Sequence, residues 1–172
     1  MQIKDENLIY MKAVKSFEAL SESIRIFESL LKDEHGFNQP DFYKARTRLR
    51  EGESYFDEAL INAKKLMGPL PEYTDSEYEE WRKELLKKNN VLVESMPLDN
   101  MRSELQEDEF LKKYLKPEEI NKYLEANYQA QQIGKRKLSN IKVRIILEKL
   151  EDLIKHAREL NRKALQRQRQ YI

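Results

Sequence analysis

The sequence predicts an all-α protein: an antiparallel helical hairpin or bundle of long, heptad-patterned helices, elongated, and closed by a long basic C-terminal helix. Three observations predict it. The 172 residues include only four Gly and five Pro, whereas the good helix formers Ala, Leu, Glu, Lys, Arg and Gln abound. Apolar residues recur three and four positions apart over several heptads. The last pattern of this kind runs unbroken for over thirty residues, from Leu138 to Gln170. With 37% charged residues the chain is polar enough for disorder, but its apolar residues are phased and not scattered.

The first predicted helix spans about residues 5 to 33. Tyr10, Ala13, Phe17, Leu20, Ile24, Phe27 and Leu31 form its stripe, Asp5 is the expected N-cap, and His35-Gly36 the expected stop through a left-handed glycine. The rhythm restarts at Phe42 and continues through Ala45, Leu49, Gly52, Phe56, Ala59, Ala63 and Leu66, giving a second helix over 41 to 67. The loop between them is short, so the two helices are antiparallel neighbours, with the Phe-rich first stripe expected to fill the small-residue second one. Gly52 in mid-helix costs about 1 kcal/mol relative to Ala. It marks a close helix approach or a kink.

Gly68-Pro69-Leu70-Pro71 stops the second helix, because Pro lacks the amide donor and drives its predecessor out of helical geometry. Thr74 with Glu77, or Ser76 with Glu79, then forms a capping box for a helix over 74 to 96, with Tyr78, Trp81, Leu85 and Leu92 on its apolar side and Pro97 at its end. Residues 98 to 134 read as shorter, polar helices. Asp99 caps one reaching Tyr114, with Met101, Leu105, Leu111 and Leu115 inward. Pro117 followed by Glu118 and Glu119 opens another, in which Ile120 and Leu124 are the apolar pair. This stretch is either a packed helical layer or an arm lying on a partner. Three segments result: a bundle core over 1–96 (hairpin 5–67 plus helix 74–96), a polar arm or linker over 97–134, and the basic helix with its lead-in over 135–172.

The last helix carries Val143, Ile146, Leu150, Leu153, Ala157, Leu160 and Ala164 as a helix-packing stripe, widened by Ile141, Ile145, Leu147 and Ile154. Such breadth implies neighbours on two sides. The alternation of Ile141, Val143 and Ile145 also suits a short strand, but the following Leu-Glu-Lys-Leu-Glu-Asp-Leu run selects helix. A helix of this length measures about 50 Å, against a diameter of about 40 Å for a compact domain of this size. Its end is therefore expected to project or to pack on a second chain.

Charge is unevenly distributed. Residues 1–70 carry 11 basic and 12 acidic side chains, 71–134 carry 9 and 15, and 135–172 carry 12 and 4. A basic C-terminus beside an acidic middle points to self-association, an acidic protein partner, or a phosphate backbone. The candidate contact residues are Lys135, Arg136, Lys137, Lys142 and Arg144, then Arg158, Arg162, Lys163, Arg167 and Arg169. Basic helices bind phosphates with steep salt dependence, yet residues 129 to 170 lack the interleaved aromatics that stack bases, and no recognition-helix or finger motif is present. A smaller run, Lys44, Arg46, Arg48 and Arg50, alternates around its helix and reads as a solvated face.

Catalytic and cofactor signatures are missing. The absence of Cys removes disulfides, thiolate metal sites and a thiol nucleophile. The four glycines stand alone, forming neither a phosphate loop nor a nucleophile elbow. His156, with Glu148, Asp152 and Glu159 within reach along its helix, lacks the Glu-x-x-His repeat of a di-metal bundle and reads as a surface ion pair. Neither an export signal nor an apolar run of about 18 residues is seen. The expectation is thus a non-enzymatic assembly or adaptor protein, intracellular or part of a virus particle, without cofactor, metal, membrane span or small-molecule substrate. It works through protein partners and as a homo-oligomer. The alternatives are a nucleic-acid binder using the basic helix, and a small inhibitor occluding a partner's basic site with acidic residues 71 to 125.

Overall fold

The computed structural model describes residues 2–67, 98–132 and 138–171. Within them the secondary structure is all helix: α1 (Gln2–Lys32), α2 (Gln39–Met67), α3 (Leu98–Glu107), α4 (Glu109–Tyr114), α5 (Pro117–Gln132) and α6 (Leu138–Gln170). The expected helix over 74–96 and its capping boxes lie outside the described residues. The chain forms two compact units. One comprises residues 1–66 and 147–172, the other residues 67–146. This division cuts through the last helix and across the three segments read from the sequence.

In the first unit α1 and α2 pack antiparallel. Lys12 meets Glu58 at 2.9 Å and Glu22 meets Arg48 at 2.9 Å, while the Ser16 and Ser23 hydroxyls donate to the carbonyls of Gly52 and Ala45, each at 2.7 Å. Partners thus step in opposite directions along the two helices. Both serines are fully buried, and each uses the second lone pair of a carbonyl that already accepts a helical bond. Gly52 is a point of close approach: a Cβ there would stand 2.6 Å from Leu20 Cγ. Ser16 and Leu20 therefore face Gly52, and Ser23 faces Ala45, two of the small residues of α2. Phe27 meets Phe42 edge-on, with ring centres 6.4 Å apart.

Burial on α1 is wider than one heptad stripe. Of the expected stripe Ala13, Phe17, Leu20 and Phe27 are buried and Tyr10, Ile24 and Leu31 only half-buried, while Ile9, Ala19, Ile26 and Leu30, off that stripe, are buried. The second stripe is needed because α1 also adjoins α6. The far end of α6 reaches the loop between α1 and α2: Arg167 donates to the Leu31 carbonyl at 2.7 Å, Gln168 to the Gln39 side chain at 2.8 Å, and the Tyr171 ring stacks on Phe37 at 6.5 Å. So α6 runs parallel to α1 and antiparallel to α2, completing a three-helix bundle. Leu160 and Ala164 are buried within the chain, correcting the expectation that this end projects or needs a second chain. A helix longer than one compact core is wide is accommodated because its residues are divided between the two units.

Helix ends are set by short polar side chains. α1 begins at Gln2, so Asp5 lies inside it and is not the cap. At its other end Asp33 Oδ1 accepts from His35 N–H at 3.1 Å, and Gly36 is not in the left-handed region, so an aspartate turn makes the stop. Asn38 opens α2, its Oδ1 accepting from Asp41 N–H at 3.0 Å, with Pro40 in the first turn, where its missing donor costs nothing.

The second unit is a packed helical layer, not an arm. Met101, Leu105, Leu111, Leu115, Ile120, Tyr123 and Leu124 are buried, together with Ile141, Val143, Ile145 and Ile146 at the start of α6. The single helix expected from Asn100 to Tyr114 is broken at Asp108, whose Oδ1 accepts from both Phe110 N–H and Leu111 N–H at 3.0 Å and so caps α4. α5 starts at Pro117 as expected, with Glu119 Oε1 accepting from the Lys116 amide at 3.2 Å in half of a capping box. Arg102 on α3 donates to Asn121 Oδ1 on α5 at 2.6 Å.

Candidate functional site

The first basic group divides. Lys135, Arg136 and Lys137 lie outside the described residues. Lys142 is committed to the fold: its Nζ sits 2.7 Å from Asp108 Oδ2 and over the Phe110 ring at 5.8 Å. Asp108 thus caps α4 with one oxygen and pairs with α6 through the other. Arg144 is partly buried, and its Nη1 has no hydrogen-bond partner among the described residues.

The second group belongs to α6 in the three-helix bundle. Arg158 Nη2 pairs with Glu53 of α2 at 3.0 Å; that hydrogen bond, then the charge of Glu53, raises the guanidinium above its ordinary pKa against partial burial. Arg162 grips Glu159 through two nitrogens, Nε at 3.0 Å and Nη2 on the other oxygen. The pair holds the Glu159 carboxyl below its usual range, chiefly through the hydrogen bond, and raises Arg162 for the same reason. Arg167 is turned inward onto the Leu31 carbonyl. Lys163 and Arg169 are exposed.

Of the packing stripe, Val143, Ile146, Leu150, Ala157, Leu160 and Ala164 are buried inside the chain and Leu153 is half-buried. Lys155 was missed by the sequence reading, although it lies seven residues before Arg162, which in turn precedes Arg169 by seven. That spacing was the available signal: side chains a heptad apart on a helix lie nearly in line. The exposed surface of α6 from Lys155 onward thus carries Lys155, Arg158, Arg162, Lys163 and Arg169, and one carboxylate, Glu159.

Folding redistributes charge on the larger scale. The first unit carries 18 basic and 16 acidic side chains and the second 14 and 15, so the imbalance along the sequence nearly cancels within each unit. What survives is local to the outer side of α6.

Other candidates resolve into structure. His156 Nε2 lies 3.7 Å from Glu28 Oε1 of α1, a cross-helix ion pair when the imidazole is protonated, and its nearest carboxylate is not on its own helix. No three side chains among the described residues are grouped to hold a metal ion, and no described helix is long and apolar enough to cross a membrane. Lys44 and Arg48 both reach Glu22, at 3.3 and 2.9 Å, so part of the run thought to be solvated ties α2 to α1. Arg46 lies 5.4 Å over the Phe42 ring. A groove of about 340 Å³ between α2 and α6 is floored by Phe56 and Ile154 and rimmed by Glu53, Asp57, Glu151, Lys155 and Arg158. It has the size of a small-ligand site, but Glu53 and Arg158 neutralise each other and the rest are mixed in sign. The chain matches no family profile, no curated protein and no solved structure.

Proposed function

We propose that this is a non-enzymatic helical adaptor protein that acts through protein–protein contact, and that the outer side of α6 meets an acidic partner. One observation carries the reading: five exposed cations, of which Arg158 is tied to Glu53 of α2, against a single exposed carboxylate on α6 from Lys155 onward. The helix beneath them is held by buried contacts to α1 and α2, so the cations are presented on a preformed surface and little conformational entropy is lost on docking. A separate acidic partner suits the charge better than a second copy, because each compact unit is close to neutral and the apolar stripe that suggested self-association is buried in the chain.

A nucleic-acid phosphate backbone is the second reading. The fold favours it at one point, setting the Phe37 and Tyr171 rings at the end of α6 where Arg169 lies and so supplying aromatic surface that the helix lacks. Solution mass measured alone, with an acidic polypeptide and with nucleic acid, over a salt series from about 50 to 200 mM, separates the readings. Complex formation with the polypeptide that fades with salt supports the first. Mass unchanged by either addition at the lowest salt sinks both.

A further inference from the structure

Glu159 stands in the middle of the basic surface and occupies the Nε–Nη2 edge of the Arg162 guanidinium. Both side chains are about half exposed, 55% for Arg162 and 48% for Glu159, so the pair is in the path of anything that docks there. We infer that Glu159 is a built-in competitor for the Nε–Nη2 edge of Arg162: it holds that edge in a carboxylate-binding pose while the surface is free, and an acidic polypeptide must displace it to gain the same bidentate contact. The inference rests on the reading of α6 as a docking surface for an acidic protein partner.

Geometry and energetics agree on this role. The Nε and Nη2 edge of a guanidinium presents two parallel donors that match one carboxylate, and Glu159 already satisfies that edge from one helical turn away, so a carboxylate docking on it exchanges one pairing for another. An exposed pair of this kind is weak enough to yield. Glu151, one turn before Lys155 on the same outer side, is exposed like Glu159 but holds no cation of the surface, and so provides a control for charge alone.

The test uses the full chain, a fluorescently labelled oligo-glutamate peptide and, in parallel, labelled oligo-dT, with anisotropy read at low and raised salt. Glu159→Gln is expected to tighten oligo-glutamate binding about two- to five-fold, the release of a weak surface pair, and Glu151→Gln to tighten it less. In an Arg162→Gln background, where the fork is gone, Glu159→Gln should act no more strongly than Glu151→Gln. Equal effects of Glu159→Gln and Glu151→Gln, or a Glu159→Gln effect undiminished by loss of Arg162, overturn the competitor role while leaving the docking surface standing. Failure of oligo-glutamate to bind the unaltered protein at low salt, whether or not oligo-dT binds, overturns the acidic-partner reading itself.

Discussion

The two compact units reach a buried core by different means. The three-helix bundle of α1, α2 and the later part of α6 relies on length and fit: stripes sustained over several heptads, and small residues that let α1 and α2 approach until Ser16 and Ser23 reach the opposite backbone. The unit of α3, α4, α5 and the start of α6 has helices as short as six residues, below the length at which isolated helices persist in water. It depends on directed polar contacts at the helix ends, with Asp108 and Arg102 each joining two elements. Long helices tolerate the loss of a single polar contact, whereas short ones are positioned by them.

Substitutions break the comparison in a definite order. The largest effect is expected from Phe27→Ala, which empties a fully buried site against Phe42 and should cost about 3–5 kcal/mol, read from the shift in urea midpoint at unchanged slope. Gly52→Ala comes next and decides whether fit or propensity governs the hairpin. Alanine gains about 1 kcal/mol of helix propensity, but its Cβ would lie 2.6 Å from the buried Leu20 side chain, and overpacking costs about 1–3 kcal/mol. A net loss of stability is expected, and a variant more stable than the parent would show that α1 and α2 can move apart freely.

In the other unit Asp108→Ala should cost about 1–2 kcal/mol, since it removes a cap and leaves Lys142 without its carboxylate. Asp108→Asn, which keeps the cap and loses the charge, should cost less. If the two variants denature at the same midpoint, the ion pair and not the cap sets the position of α4.

The smallest effect concerns pH and the bundle. The Glu22 carboxyl is held below its usual range by the hydrogen bond from Lys44, and then by the nearby Arg48 charge. A carboxyl whose folded value is depressed stabilises the fold above its unfolded value, and that contribution fades as pH falls through the folded one. Urea midpoints taken from neutral pH down through the carboxylate range should fall less steeply in Glu22→Gln than in the parent. Because the pair is at the surface the difference is modest, and identical profiles would assign the pair no role in stability.

Legibility in the sequence followed the same division. The seven α2 positions from Phe42 to Ala63 on the predicted stripe are all buried, because one long helix repeating every seven residues shows its inward side in the spacing alone. The break at Asp108 was hidden: Asp, Glu and Phe there also fit an uninterrupted helix, and the interruption emerges only when both amides after Asp108 turn onto its carboxylate. The basic residues of the last helix were visible as a group, but their division into committed and exposed members was not. Lys142, Arg158 and Arg167 find their acceptors 34, 105 and 136 residues away, beyond any local pattern.

By itself the sequence determined the helical class, the antiparallel hairpin, the inward side of α2 and of α6, part of that of α1, and the surplus of cations near the C-terminus, because all of these follow from composition, local spacing and the length of one loop. Only the tertiary structure decided that the last helix completes a bundle with its own hairpin, that Gly52 is a point of contact, that charge nearly balances within each unit, and which cations face outward on α6. Those outcomes depend on which distant backbones and carboxylates come within a few ångströms, and helical periodicity fixes the side a residue faces without fixing what it will meet there.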